Sequence, residues 1–375
     1  MYMKQNRKRK LLIIINNFLI GGVERSMFDI LSRLDRDKFD IEIATVIGSG
    51  PLESEFRSLN FPIYLLGQNI DQDRSLFDKV RWVILAPLTL LRLVAIIKRI
   101  RPDLVLTSLY QAEILGMCAA KISGVKERIM IQSDAVELPM IRAFFKRSLS
   151  LRLSTKIIAI SNTVSTFMVK RWRVPISKIK VIYNGIDFEK FNVTREPRDI
   201  LTLGIVGRLE KIKGVDIFSQ AIVKLKQDYS LEPNVLFVGD GSMRKSLEEL
   251  MDRSQLKKVQ FVGFVSNVQE WLTKIDLLVI PSRSEGFGLV MIEGLLTKCL
   301  VVASDIPAFK EIIGEKNNMF FPTNDHNALS KLLAELLVDT QKRDLLRKDL
   351  DLWIKTQSNR FDIKETVKSY ESVLI

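Results

Sequence analysis

Apolar residues along this 375-residue chain gather in short runs separated by stretches of helical spacing. In the first half the runs are Leu11–Ile15, Ile63–Leu66, Leu104–Leu106, Ile129–Ile131 and Ile157–Ile160, with Phe39–Ile47 alternating apolar and polar. After the first run, Met27, Ile30, Leu31 and Leu34 fall on one helical face. Short apolar runs alternating with helices predict strands of a parallel, doubly wound sheet. The series starts afresh after V-I-Y-N-G-I-D (181–187) and the polar connector T-R-E-P-R-D (194–199). It then runs through Leu201–Val206, Val235–Val238, Val259–Val262, Leu277–Ile280 and Leu300–Ala303. The class predicted is therefore α/β, with two Rossmann-like domains, 1–190 and 191–361, facing a cleft. A last helix, 362–375, is expected to pack back on the first domain.

Two stretches break that rhythm. Residues 76–97 are strongly apolar and Trp82–Leu91 carries no charge, but Pro87 interrupts it. The uncharged run is shorter than the roughly 20 residues a membrane span needs. A packed pair of helices is expected, with an interfacial membrane element as the alternative. The segment R-A-F-F-K-R-S-L-S-L-R sets Phe144, Phe145, Leu149 and Leu151 among Arg142, Lys146, Arg147 and Arg152. Such a stretch suits an anionic lipid surface, or else a solvated helix with an ordinary core face. Near the start, Lys4, Arg7, Lys8, Arg9 and Lys10 precede L-L-I-I-I in the manner of a signal peptide. Asn16 and Asn17 break that run and no small-residue cleavage site follows cleanly, so a first strand explains the same residues.

Charge is unevenly placed. Residues 1–190 hold 31 Lys and Arg against 18 Asp and Glu, while residues 191–375 hold 26 of each, so the formal excess of +13 lies wholly in the first half. A basic surface attracts nucleic acid, anionic lipid or phosphorylated substrates. Cys118 and Cys299 both sit in apolar surroundings, as reduced thiols of a cytoplasmic protein do, which argues against a disulfide framework or a zinc site. The one histidine, His326, lies in T-N-D-H-N at an expected helix start, away from any credible nucleophile.

The densest candidate chemistry is P-S-R-S-E-G-F-G-L-V-M-I-E, from Pro281 to Glu293. A buried strand stops at Pro281, a polar loop follows, and a helix is expected from about Phe287, with Val290, Leu295 and Leu296 on its buried side. Unpaired N–H groups at such a helix start, with the helix dipole, make an anion site. Glu285 and Glu293 bracket it; a phosphate would repel them, so they are expected to accept hydrogen bonds from sugar hydroxyls. Arg208 and Lys213 follow the strand Leu201–Val206, where open α/β sheets place their ligands. Two fixed cations there could neutralise a diphosphate without a metal. Gly263 and Phe264 close another strand, where backbone groups could meet a base edge, and Gly21-Gly22 after the first strand allow a backbone to approach a ligand closely. Gly239-Asp240-Gly241 lacks the third glycine of a dinucleotide fingerprint, since Arg244 stands there. The spaced pairs Asp35/Asp37 and Asp71/Asp73 are read as polar loops rather than metal ligands.

Together G-G-V-E (21–24), V-I-Y-N-G-I-D (181–187), G-R-L-E-K-I-K-G (207–214), V-G-D-G (238–241), G-F-V (263–265) and Glu285-x7-Glu293 resemble the retaining, family-4 glycosyltransferases of GT-B fold, of the bacterial polysaccharide and lipopolysaccharide type. The resemblance covers nearly the whole chain. It implies transfer of a sugar from a nucleotide diphosphate donor, a UDP-hexose or UDP-N-acetylhexosamine, to a lipid-linked or polysaccharide acceptor. The donor would lie on the second domain and the acceptor on the first. Arg208 and Lys213 would hold the diphosphate, Glu285 the transferred sugar and Glu293 the ribose. The amides of Phe287, Gly288 and Leu289 would face phosphate and sugar, and Gly22 would approach from the first domain. No metal or other cofactor is implied. The family's first-domain histidine is missing: the chain reads I-Q-S-D, and Asp134 is the candidate substitute. An anionic membrane surface is the expected partner on the cytoplasmic side, through Arg142, Phe144, Phe145, Lys146, Arg147 and Arg152. A non-catalytic nucleotide-sugar-binding subunit and a sugar-nucleotide epimerase are the alternatives, and a nucleic-acid-binding protein is argued against by the lack of interleaved aromatic platforms.

Overall fold

The structure, a computed structural model, describes residues 7–67, 76–191, 193, 201–315 and 319–375. Asp71, Asp73 and the connector 194–199 lie outside them. Contacts divide the chain into two compact units, Met1–Gly185 with Ile363–Ile375, and Ile186–Asp362. The divisions fall five residues before, and one residue after, the limits of 190 and 361 drawn from the sequence.

The first unit holds β1 (Arg9–Ile15), β2 (Phe39–Thr45), β3 (Ile63–Leu65), β4 (Leu104–Ser108), β5 (Glu127–Gln132), β6 (Lys156–Ala159) and β7 (Ile179–Val181). They form one parallel sheet in the order β3-β2-β1-β4-β5-β6-β7. Ile13 of β1 lies between Ile43 and Leu106, and Leu11 to Ile15 are all buried. A strand covered on both faces has no polar side, which is why β1 reads as an unbroken apolar run.

Residues 76–97 do not form a pair of helices. They belong to one helix, Leu76–Ile100, with Pro87 inside it. Proline removes one backbone donor, but Leu93, Ile97 and Ile100 carry a buried stripe onward into the core formed with Leu12, Ile14, Ala112 and Leu115. Tertiary packing of that stripe outweighs the local break. Among the described residues no helix is long and apolar enough to cross a membrane.

The last helix, Ile363–Leu374, completes this unit. Ile363, Val367, Tyr370 and Leu374 are buried, and burial pushes the Tyr370 phenol up from its usual range. Thr366 Oγ1 donates to the Tyr183 carbonyl at 3.0 Å, and Glu371 accepts from the Asp35 amide and from Lys38.

The second unit holds β8 (Thr202–Val206), β9 (Asn234–Val238), β10 (Val259–Gly263), β11 (Leu277–Ile280), β12 (Leu300–Ser304) and β13 (Phe320–Phe321). All pair in parallel, in the order β10-β9-β8-β11-β12-β13. The sequence pattern missed β13, because two residues carry no periodicity to read. In each sheet the winding direction reverses beside the first strand, between β1 and β4 and between β8 and β11. Diverging loops at such switch points leave a crevice at the carboxyl ends of the strands.

Candidate functional site

At the switch point of the second unit two loops are tied together. After β8, Gly207 and Arg208 lead to a single 3-10 turn, Lys211–Lys213, and to the helix Val215–Tyr229. Gly214 has φ +67°, and a Cβ there would collide with the Pro281 carbonyl, so only glycine lets the loops approach this closely. After β11, the amide of Arg283 donates to the Ile212 carbonyl at 2.9 Å. Its guanidinium grips Asp216 with two bonds of 2.8 Å and also reaches the Lys211 carbonyl. Burial acts to raise the Asp216 carboxyl, but Arg283 outweighs it and holds the group below the usual carboxylate range.

Lys213 and Glu285 meet inside this clasp. Lys213 Nζ lies 2.6 Å from Glu285 Oε1, and Ser282 Oγ donates to the same oxygen at 2.8 Å. Ser282 is itself fixed, its carbonyl accepting from Ser304 Oγ at 2.5 Å. The Glu285 side chain is 12% exposed and that of Lys213 28%, so the pair is sheltered yet reachable. The following helix is Leu289–Leu296, two residues later than expected, with Gly288 at φ +110° before its first turn. Its buried residues include Met291, Ile292 and Leu295, whereas Val290 and Leu296 are half-buried, because the helix is covered around more of its circumference than one stripe. The Phe287 side chain is core, its ring 5.6 Å from that of Phe361. Glu293 is half-buried in the helix.

Arg208 is exposed at the end of β8, and Gly263 and Phe264 close β10, with Phe264 56% exposed. Gly207, Gly239 and Gly263 line up across three strand ends: the Gly207 amide donates to Val238 and the Gly239 amide to Gly263, each at 2.9 Å. Glu210 accepts from the Ser242 amide and hydroxyl, which holds its carboxyl below the usual range. The second unit thus places Arg208, Lys213, Gly263, Phe264, Glu285, Gly288 and Leu289 on loops and helix starts that follow the strands, with Glu293 farther along the helix, and a hydrogen bond joins Lys213 to Glu285. Gly22 opens the helix Gly22–Leu31 of the first unit. Among the described residues no three His, Cys, Asp or Glu side chains form a metal-binding group. Asp35 caps the Asp37 amide and pairs with Lys38.

The segment 142–152 differs from its expected form in two ways. It is a short helix, Met140–Phe145, running into a π-helical turn, Lys146–Leu151. Phe144 and Phe145 are exposed, joined by Met140 and Ile141, while Arg147 and Arg152 are exposed cations. Lys146 is not on that surface. It is buried and paired with Glu113 of the helix Tyr110–Ile122, because the π-helical turn aims it inward. Leu151 is also buried and Leu149 half-buried, so the apolar side splits between core and solvent.

Lys146, Glu113 and Asp134 line a cavity of about 260 Å³ at the ends of β4 and β5. Asp134 is exposed and accepts from Gln132 Nε2 at 2.8 Å, and Arg142 lies over the Tyr110 ring at 4.3 Å. Burial pushes the Glu113 carboxyl up, against the pull of Lys146. Sequence reasoning missed Glu113 and Gln132. The available signal was a carboxylate inside the apolar stretch Ala112–Met117, where an acid needs a hidden partner.

Residues 187–350 match the family described as "Glycosyl transferases group 1", and residues 20–190 match "Glycosyltransferase Family 4". The chain is 30% identical over 170 residues to the Escherichia coli O-antigen biosynthesis glycosyltransferase WclY, covering 43% of this chain and 46% of that one, so it spans about half the length of this relative. It is 26% identical over 347 residues to the E. coli UDP-Gal:alpha-D-GlcNAc-diphosphoundecaprenol alpha-1,3-galactosyltransferase, covering 86% of each chain. The crystal structure of Anabaena HepE in complex with UDP and glucose shares the fold, with a TM-score of 0.80 at 20% identity over 98% of this chain and 99% of that one. With the two parts of this family matched in order on its two parallel-sheet units, the protein belongs to the family-4 glycosyltransferases of GT-B fold.

Proposed function

We propose that the protein transfers a sugar from a nucleotide diphosphate donor, a UDP-hexose or UDP-N-acetylhexosamine, to a lipid-linked glycan or polysaccharide acceptor with retention of anomeric configuration. The observation that carries this is the Lys213–Glu285 pair, held by Ser282 beside a helix start at the switch point of the second unit. A donor's diphosphate is met there by Arg208, Lys213 and the backbone N–H groups of the first helical turn. Glu285, already oriented, accepts from hydroxyls of the transferred sugar and Glu293 from the ribose. Phe264 and the Gly263 backbone meet the base. As the bond from anomeric carbon to phosphate oxygen breaks, its electron pair stays on the leaving nucleoside diphosphate, where the two cations spread the charge. The acceptor hydroxyl bonds to that carbon from the same face, and its proton passes to the leaving phosphate. In this reading no metal is required.

The relatives support the substrate classes. The galactosyltransferase is named for a UDP-sugar and a lipid diphosphate acceptor, and HepE was solved with UDP and glucose. We place the protein on the cytoplasmic face of a membrane, held by Met140, Ile141 and Phe144 with Arg147 and Arg152 at their side.

A thermal-shift screen of nucleotide sugars, followed by a transfer assay, tests the donor reading. A shift for one donor that disappears in Glu285→Ala, together with a loss of about 10²–10³-fold in kcat/KM in Lys213→Ala, is expected. Unchanged donor binding in both variants would refute this site. Isomerisation of the donor without acceptor would point to an epimerase, and binding without turnover to a non-catalytic subunit.

A further inference from the structure

Parallel strands all begin at one end of their sheet. The residues before β1, β4, β5, β6 and β7, which lie side by side in that order, therefore share one surface of the first unit. That surface is strongly basic. Residues 7–10, 98–103, 121–128, 154–156 and 176–180 hold thirteen Lys and Arg against two carboxylates. Both carboxylates are already engaged: Asp103 accepts from the Lys10 amide at 2.8 Å, and Glu127 takes Arg9 at 2.5 Å. The excess stops at β1, since residues 35–38, before β2, hold two charges of each sign. Helix dipoles alone do not account for it. In both units helices run back to the strand starts and point their carbonyl ends there, where cations are favoured. Yet the matching residues of the second unit, 226–234, 252–259, 273–277 and 297–300, hold six Lys and Arg against four carboxylates.

Nine of the thirteen cations are exposed. The other four are half-buried and tied to main-chain carbonyls: Arg9 to Leu374, Lys10 to Ile100, Arg128 to Leu153 and Lys178 to Leu151. Those bonds hold Arg128 and Lys178 close enough to repel each other, and among the described residues no carboxylate pairs with either. Burial lowers the pKa of both, and the charge of Arg128 lowers Lys178 further. An anion arriving from outside relieves such a pair. Exposed Ile122 and Ile176 stand in the same stretches.

The chemistry of this surface selects its partner. A nucleic acid calls for aromatic rings on which bases stack, and these stretches contain no Phe, Tyr or Trp. A bilayer is met, in the function proposed above, by Met140, Ile141 and Phe144. Those residues follow the opposite end of β5, whose six residues set its two ends about 20 Å apart. Lipid packed against the strand starts would therefore hold that segment away from the membrane. Cations fixed in place beside isolated aliphatic side chains match carboxylates displayed by a polypeptide. We propose that the strand-start end of the first unit, from β1 to β7, docks an acidic segment of another protein. Lys121, Lys126 and Lys180 meet its carboxylates, with one carboxylate settling between Arg128 and Lys178.

The test is fluorescence anisotropy of a labelled glutamate-alanine peptide titrated with the full chain at physiological salt. Flotation with phosphatidylcholine–phosphatidylglycerol vesicles and titration of a labelled single-stranded oligonucleotide run beside it. One variant combines Lys121→Glu, Lys126→Glu and Lys180→Glu. A second, of equal net charge, combines Arg92→Glu, Arg147→Glu and Lys170→Glu, exposed cations away from the strand starts. Both are checked for an unchanged melt, and Lys126→Gln and Lys180→Gln, made singly, carry the comparison if the triple change disturbs it. Expected is saturable peptide binding by the parent, weakened about tenfold in the first variant, about twofold in each single change, and unchanged in the second variant. Vesicle retention is expected to survive the first variant and fall in the second. No saturable peptide binding, or equal weakening in both triple variants, overturns the proposal. Vesicle retention lost in the first variant would make the surface a membrane contact instead. An oligonucleotide bound more tightly than the peptide, and lost in the same variant, would make it a nucleic-acid contact.

Discussion

At the scale of single residues, the strand-end glycines do what no side chain could. Gly239 sits at φ +134°, and a Cβ there would run into the Gly207 carbonyl, the residue before Arg208. Gly239→Ala is therefore expected to destabilise the protein by about 1–3 kcal/mol through backbone strain, and to weaken UDP binding by displacing Arg208. Urea unfolding beside a UDP melt shift measures both, and an unchanged pair would show that the strand ends do not depend on one another. The glycines, Arg208, Lys213 and Glu285 were legible because each follows an apolar run, at the position where such a sheet exposes its loops. The Glu113–Lys146 pair was not, since its members lie 33 residues apart: the apolar stretch around Glu113 signals a hidden partner without naming it, and Lys146 alone looks like a surface charge. Burial turns Lys146 from a membrane-facing cation into a wall of the cavity.

At the scale of elements, the loop after β11 is only as well placed as the clasp that holds it. Arg283 and Asp216 form that clasp, and the Asp216 carboxyl is held below its ordinary range in the folded state. A carboxyl depressed by folding adds stability that is full above its unfolded value, about pH 4, and is lost as pH falls through the folded one. The stability gap between the parent and Asp216→Asn should thus be present at neutral pH and close on acidification below about pH 4. Unfolding free energies measured across that range decide it, and a gap independent of pH would mean the clasp acts through shape alone. Most strands were legible as elements, because burial on both faces writes them as apolar runs. The helix Leu76–Ile100 was misread as two because a proline is a local signal, while the stripe that carries the helix past it is tertiary.

At the scale of the whole molecule, the basic excess of +13 lies in residues 1–190, and residues 191–375 have no net charge. A membrane partner is therefore expected to be met by the first unit. Vesicles containing anionic lipid should retain the parent protein, and Phe144→Asp or a paired Arg147→Glu, Arg152→Glu change should lower the bound fraction several-fold. Flotation at low and high salt is the measurement, and retention that ignores both charge and salt would rule the surface out. Lys146→Gln is not expected to act as a surface change, since that side chain is buried.

The helix Ile363–Leu374 gives the chain an order of completion that its numbering hides. Residues 186–362 are an insertion within the first unit, whose final buried helix is the last described element. During synthesis the inserted unit can close as soon as its own residues leave the ribosome, whereas the unit begun first stays open along the seam of Val367 and Tyr370 until residues near 374 emerge. The unit of residues 186–362 is thus able to fold before the unit that started first, and a chain ending at 362 and released from the ribosome should show protease-resistant 186–362 beside a still-cleavable beginning.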